Sequence, residues 1–184
     1  MNTRSDWIPA FVARLRALDP PDDPAAVNRA ALAHLRRGLG RPAGETLVRV
    51  GHLFVAVPDA AVSVAVLVAG LFAEHRLSGG EGTLGKALGL YKRNYCVTPA
   101  AGDSADRRFI HLVESDPSDL AGRVPHAVRL LAAKNVAVDY AQLLRDLRRW
   151  ASDDGRVQWA WSRDYWRAEL SPAAVPEPVT TAGA

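Results

Sequence analysis

The run DAAVSVAVLVAGLFAEH, Asp59 to His75, constrains this chain more than any other segment. From Ala60 to Ala73 it holds no charged residue and no regular alternation of apolar and polar positions. A continuous apolar run suits a fully buried strand or a helix buried on all sides. VSVAVLVAG alone fits the strand, but it continues into LFAEH without a turn, and that length favours helix. Pro58 and Asp59 cut the run from Leu53–Val57, and what remains is too short for a bilayer, which takes about 20 apolar residues. The reading is a central core helix, capped by Asp59 and running to about Arg76, against which the other segments pack.

Those other segments carry helical periodicity between breakers. SDWIPAFVARLRALD ends before PPDD. DPAAVNRAALAHLRRGLG opens on Asp23 as N-cap with Pro24 at the first helical position, and glycines close it. GETLVRVGHLFVAV stops at Pro58. LSGGEG is a loop, TLGKALGLYKRN a short helix despite two glycines, and YCVTPAAGD a turn-rich insert. SADRRFIHLVES is amphipathic through Phe109, Ile110, Leu112 and Val113. LAGRVPHAVRLLAAKN has Pro125 in its first turn. Asp139 caps YAQLLRDLRRWA, and SDDGRVQWAWSRDYWRAEL is the last helix. No segment has the alternation of a half-buried strand. The expected fold class is all-α, a two-lobed helical bundle of eight or nine helices. Residues 1–100 form an N-terminal helical lobe, 101–170 a C-terminal bundle, and 171–184 a disordered tail of low pattern and several prolines.

The residues offer little to catalysis. His34, His52, His75, His111 and His126 include no pair at helical ligand spacing, and the one cysteine, Cys96, has no partner. No metal or other cofactor is expected. In SGGEGTLGK, Ala87 follows Lys86 where a phosphate loop needs Ser or Thr, and no strand precedes it. Acids are scattered rather than grouped. The expectation is a chain without an active site, not an enzyme. A single thiol fits a reducing, cytoplasmic compartment, and MNTRSDWIPAFVARLRAL lacks the apolar core of a signal peptide.

Charge points elsewhere. Formal net charge is +3, and 20 of the 23 basic residues are arginine. Guanidinium forks suit phosphate, although GC-rich codons give the same bias. In QLLRDLRRW, Gln142 to Trp150, a plot at about 100° per residue separates two faces. Tyr140, Leu143, Leu144, Leu147 and Trp150 share one arc. Arg145, Arg148 and Arg149 lie beside and opposite it, with Asp146 breaking that strip on one side. Trp150 therefore belongs to the core, and Trp159, Trp161, Tyr165 and Trp166 of the last helix read as core and bundle edge. A strip of arginines attracts phosphates without reading bases. It is also what a merely solvated helix face looks like.

The order of motifs narrows the choice. AALAHLRRGLGR, VAGLFAEHR, GTLGKAL, ADRRFIHLVESD, VPHAVRLLAAKNVAVDYAQLLRDLRRW and VQWAWSRDYW, over about residues 24–167, resemble the CasB family. CasB is the small subunit of the type I-E CRISPR surveillance complex, Cascade. The resemblance implies an all-helical, two-lobed, non-catalytic subunit. Two copies stack head to tail along the backbone subunits that hold the guide RNA, and touch the large subunit. They help hold the R-loop open through basic contacts to target DNA and the displaced DNA strand. Cleavage falls to a separately recruited helicase-nuclease. Carried onto this sequence, the nucleic-acid-binding positions are Arg36, Arg37 and Arg41; Lys86; Arg107 and Arg108; Arg129 and Lys134; and Arg145, Arg148 and Arg149. No membrane contact is implied. The alternative is a purely structural bridge, whose arginines meet acidic surfaces of neighbouring subunits. The chain departs from the family pattern at YKRNYCVTPAAGD, residues 91–103, which lengthens a connection, and at Arg76, where proline is common.

Overall fold

The apolar run becomes the axis of the molecule. The structure, a computed structural model, describes residues 6–151 and 154–170. Within it α4, Val62–Glu74, buries Ala65, Val66 and every residue from Val68 to Ala73. Burying its large side chains contributes about 1.5–3 kcal/mol each. Eight further helices complete the described fold: α1 (Trp7–Arg16), α2 (Arg29–Arg37), α3 (Ala43–Val50), α5 (Leu84–Tyr95), α6 (Pro99–Val113), α7 (Leu120–Ala132), α8 (Tyr140–Arg149) and α9 (Arg156–Leu170). Helices α2, α3, α7 and α8 all pack on α4, and α1 packs on α8. The described residues contain no strand; one isolated parallel bridge joins Ser78 to Val138. The all-α bundle expected from periodicity is thus the fold observed. The expected disordered tail lies outside the described residues.

Local starts and stops differ from expectation where a better cap was available. Asp23 does cap, accepting from Ala25 and Ala26 N–H at 3.0 and 3.2 Å, but only a short 3-10 turn over Pro24–Ala26. Val27 then turns extended, and α2 begins after Asn28, whose side chain accepts from Ala31 N–H at 3.0 Å. Asp59 likewise opens a 3-10 turn, Asp59–Ala61, rather than capping α4. The insert expected to be turn-rich is mostly helix. Tyr91–Tyr95 finish α5, and Thr98 caps α6 through Ala101 N–H, with Pro99 at the first helical position. Pro125 is not in a first turn. It lies buried at the sixth position of α7, where its ring denies the Ala121 carbonyl a helical partner.

The most extensive helix–helix contact is α5 on α9. Gly85 and Gly89, four apart on α5, make it possible. A Cβ on Gly85 would overlap the Trp161 carbonyl, and one on Gly89 would overlap the Tyr165 carbonyl and lie 2.9 Å from Ala168 Cβ. Polar clasps hold the pair at both ends: Thr83 Oγ1 donates to Asp164 Oδ2 at 2.9 Å, and Arg93 Nη1 to Ala168 O at 3.1 Å. Gly85→Ala or Gly89→Ala should therefore cost about 1–3 kcal/mol by forcing backbones apart. Gly122→Ala, whose Cβ meets nothing within 4 Å in α7, should instead stabilise by about 0.5–1 kcal/mol. Urea denaturation of the three variants checks this; equal effects would mean that the α5–α9 approach does not depend on glycine.

Candidate nucleic-acid interface

Helix α8 separates its two faces as its periodicity predicts. Asp139 caps it, accepting from Gln142 N–H at 2.9 Å. Tyr140, Leu143, Leu144, Leu147 and Trp150 are all buried. Trp150 gives its indole N–H to Ser115 O at 3.1 Å and meets Trp161 edge-on at 4.9 Å. Asp146 overturns one expectation. It does not break the basic strip but turns inward, buried, accepting from Gln142 Nε2 and Trp161 Nε1, each at 2.7 Å. An unpaired indole N–H in the core would be costly, and this carboxylate satisfies it. Burial pushes the Asp146 carboxyl above its ordinary range, with the Trp161 and Gln142 hydrogen bonds and the Arg149 charge pulling against it.

The arginines of the outer face have neighbours of their own. Arg145 Nη2 pairs with Asp6 at 2.9 Å, and this hydrogen bond holds the Asp6 carboxyl below its ordinary range. The Arg148 guanidinium lies 5.5 Å from the Trp7 ring centroid, a cation–π distance. Arg149 is exposed. Helix α8 thus lays two of its three cations across the start of α1.

The remaining positions divide into engaged and open. Arg36 donates through Nε and Nη2 to Ala73 O at 3.3 and 3.0 Å, and Arg129 pairs with Glu74 at 2.6 Å. Both thereby serve the C-terminal end of α4. Arg37 folds back onto Ala33 O, Arg41 pairs with Glu45 at 3.4 Å, and Lys134 Nζ sits 5.4 Å from the Tyr95 ring centroid. Lys86 is half-buried near the start of α5. Arg107 and Arg108 are exposed on α6 and form neither hydrogen bond nor ion pair with the described residues. Phe109 beside them is buried, stacked on Tyr165 at 3.8 Å. The eleven cations are spread over α2 and its exit, α5, α6, α7 and its exit, and α8.

Two features escaped the sequence. Trp161 and Tyr165 are core as expected, but Trp159 is 67% exposed and Trp166 41% exposed. Trp159 is at odds with a packed role, whereas Trp166, edge-on to Tyr165 at 4.9 Å, holds the bundle edge as expected; both share an outer face of α9 with Arg163, which pairs with Asp164 at 3.1 Å. The second feature is Arg123 with His111 and His126, which stand beside Arg108 around the space between α6 and α7. Nothing in their spacing along the chain relates them; only the pairing of the two helices does. Among the described residues no group of three His, Cys, Asp or Glu side chains is placed to hold a metal ion, and no helix is long and apolar enough to cross a membrane.

Fold and surface together define an all-helical protein that presents its cations on the outer faces of rigid helices. The model of the CRISPR-associated Cse2 family matches residues 31–166, and the chain belongs to that family. The curated Cse2 protein of Thermus thermophilus is 35% identical over 105 residues. That stretch is 57% of this chain and 57% of the relative. The crystal structure of a Cse2-family protein from Thermus thermophilus is similar at 30% identity and TM-score 0.69, covering 87% of this chain and 97% of its own. CasB from M. ruber is similar at 27% identity and TM-score 0.67, covering 89% and 94%. A chain of a CRISPR RNA-guided surveillance complex is similar at 26% identity and TM-score 0.71, covering 89% and 93%. The resemblance read from motif order is thereby borne out.

The inward Asp146 makes stability depend on pH. A carboxyl raised on folding binds its proton more tightly in the folded chain. Its stabilising contribution is complete below the unfolded value, near 3.8, and is lost as pH rises through the folded value. As pH rises above about 4 the wild type should lose stability relative to Asp146→Asn, which keeps an acceptor for Trp161. Asp146→Ala should cost about 1–3 kcal/mol by orphaning that indole. Denaturant titrations across pH read both effects; a gap between wild type and Asp146→Asn that stays constant with pH would remove Asp146 as the cause.

Proposed function

We propose that this chain is the non-catalytic small subunit of a type I-E CRISPR surveillance complex, binding nucleic-acid backbone through its basic helix faces and stabilising the R-loop in antiviral defence. The observation that carries the reading is the exposed Arg107–Arg108 pair on α6, with no partner among the described residues, in a chain of the Cse2 family. The similarity to a chain of a CRISPR RNA-guided surveillance complex supports it. The partners in this reading are the backbone and large subunits, a second copy of the chain, guide RNA, target DNA and the displaced strand. Residues 1–100 and 101–170 act as two lobes that meet where α5 lies on α9, where α7 and α8 pack on α4, and where α1 packs on α8.

The physics asks little of such a subunit. Guide pairing supplies sequence recognition, so the protein needs only phosphate contacts. Each cation that neutralises a phosphate releases a counterion and steepens the salt dependence of binding. Arg107, Arg108 and Lys86 lead the set, because using them breaks no pair among the described residues. Arg145, Arg148 and Arg149 follow, with Asp6 and Trp7 as competitors for the first two. Arg37, Arg41 and Lys134 have exposed, easily exchanged neighbours. Arg36 and Arg129 contribute least, since a phosphate would draw them from the end of α4.

A second reading is a structural bridge between subunits without nucleic-acid contact. The pairing of Arg145 and Arg129 with carboxylates favours it, because acids on a neighbouring subunit would suit the same guanidiniums. The complex assembled with Arg107→Glu and Lys86→Glu, neither of which lines the cavity between α6 and α7, separates the two. The proposed function expects normal assembly, a shorter R-loop lifetime, and a salt-dependence slope reduced by about 1.4–1.8 for two lost contacts. The bridge expects failure to co-purify with guide RNA and backbone subunits. An assembled variant with unchanged lifetime and slope would remove these cations from the nucleic-acid interface.

A further inference from the structure

Helices α6 and α7 diverge over α5 and α9, and the gap is a cavity of about 390 Å³. Its walls are apolar: Leu88, Phe109, Leu112, Ala127 and Leu130 line it, with the Tyr165 ring. Polar groups gather at the mouth, and none of the lining residues is acidic. Arg108 and His111 come from α6, Arg123 and His126 from α7. Two acids that touch the lining residues are already matched. Asp119 pairs loosely with Arg123 at 3.6 Å, and Asp106 holds Lys92 at 2.8 Å and the Tyr165 hydroxyl at 2.7 Å.

We propose that this cavity is a docking site for a bulky apolar side chain carried on an acidic segment of a partner subunit of the complex. The proposal deepens the subunit reading and rests on it. Each half of that chemistry has its counterpart in the cavity. Apolar walls reward an apolar anchor, and such anchors in desolvated pockets dominate interface energies. A ring of two guanidiniums and two imidazoles with no lining acid complements carboxylates flanking that anchor. A nucleobase fits less well. Its hydrogen-bonding edge would enter walls where the Tyr165 hydroxyl is engaged by Asp106, and unmatched polar groups are costly there. Arg108 then stands at the edge of two surfaces, the phosphate face it shares with Arg107 and the mouth of this cavity.

Anilinonaphthalene sulfonate, an apolar body with one anionic group, probes the full-length chain. Saturable binding is expected, weakened at least about tenfold by Arg108→Glu with Arg123→Glu. Ala105→Trp, at the partly buried lip, should abolish it. Both exposed charge changes leave the core intact, so they keep the test valid if Ala105→Trp does not fold. Dye binding indifferent to the charge reversal overturns the proposal. In the assembled complex, His126→p-benzoylphenylalanine is then photo-cross-linked. The expected product is a protein subunit, joined at a segment with Asp or Glu beside a large apolar residue. A cross-link to nucleic acid, or none, overturns the docking site while leaving the subunit reading intact. A chain that never enters the complex with guide RNA overturns both.

Discussion

The carbonyl end of the buried helix α4 is the constraint on which the rest depends. A helix leaves its last carbonyls without intrahelical partners, and water cannot reach them in a core. Here two other helices, α2 and α8, supply donors to carbonyls at this end, and a third, α7, binds the side chain of its last residue. Arg36 of α2 donates twice to Ala73 O. Tyr140 of α8 gives its hydroxyl to His75 O, with Leu71 O at 3.4 Å, and packs edge-on against Phe72 at 5.5 Å. Arg129 of α7 binds Glu74, and the His75 ring bonds Val136 O at 2.7 Å. Two guanidiniums at a helix C-terminus also complement its dipole. Burial, reinforced by the Glu74 charge, raises the Tyr140 hydroxyl well above its ordinary range, so it remains a donor. One helix end thus joins α2, α7 and α8 to the core.

That junction explains why the arginines cannot be read as one class. Composition counts Arg36 and Arg129 with Arg107 and Arg108. Structure assigns the first two to satisfying buried backbone and acid, and leaves the second two in solvent. Removing Arg36 therefore exposes a buried acceptor, whereas removing Arg107 costs the fold almost nothing. Loss of function at Arg36 or Arg129 consequently has a folding explanation before it has an interface explanation. Arg107 and Arg108 carry no such ambiguity.

Much of the fold was legible because its signal is local. The apolar run from Ala60 to Ala73 had to be a buried helix, and the period of YAQLLRDLRRW placed Trp150 in the core. Helix starts were less legible, because Asp23 and Asn28 both cap well and only the packing of Val27 against the core decides between them. The candidate site was legible only in part. Periodicity shows which side of α8 is wet, and did so for Arg148 and Arg149. It cannot show that Arg145 meets Asp6, 139 residues away along the chain. Asp146 was misplaced for the same reason: its partner Trp161 lies on another helix. Trp159 misled because aromatic residues usually pack, and a one-dimensional pattern gives no warning when one does not.

The motif LGKAL shows how a resemblance and a structure weigh the same residues differently. Motif order carried Lys86 forward as a cation for phosphate. In the folded chain the flanking Gly85 and Gly89 do the more exacting work, since they let α5 lie directly on the α9 backbone. With that approach fixed, Tyr165 stacks on Phe109, and Asp106 ties the Tyr165 hydroxyl to Lys92. Phe109 in turn sets the phase of α6. On a helix, residues one and two positions before a buried one are rotated by about 100° and 200° away from it. Burying Phe109 therefore obliges Arg107 and Arg108 to face out, and brings Arg108 to the cavity mouth. The glycines of α5 govern the basic face of α6 without carrying a charge themselves.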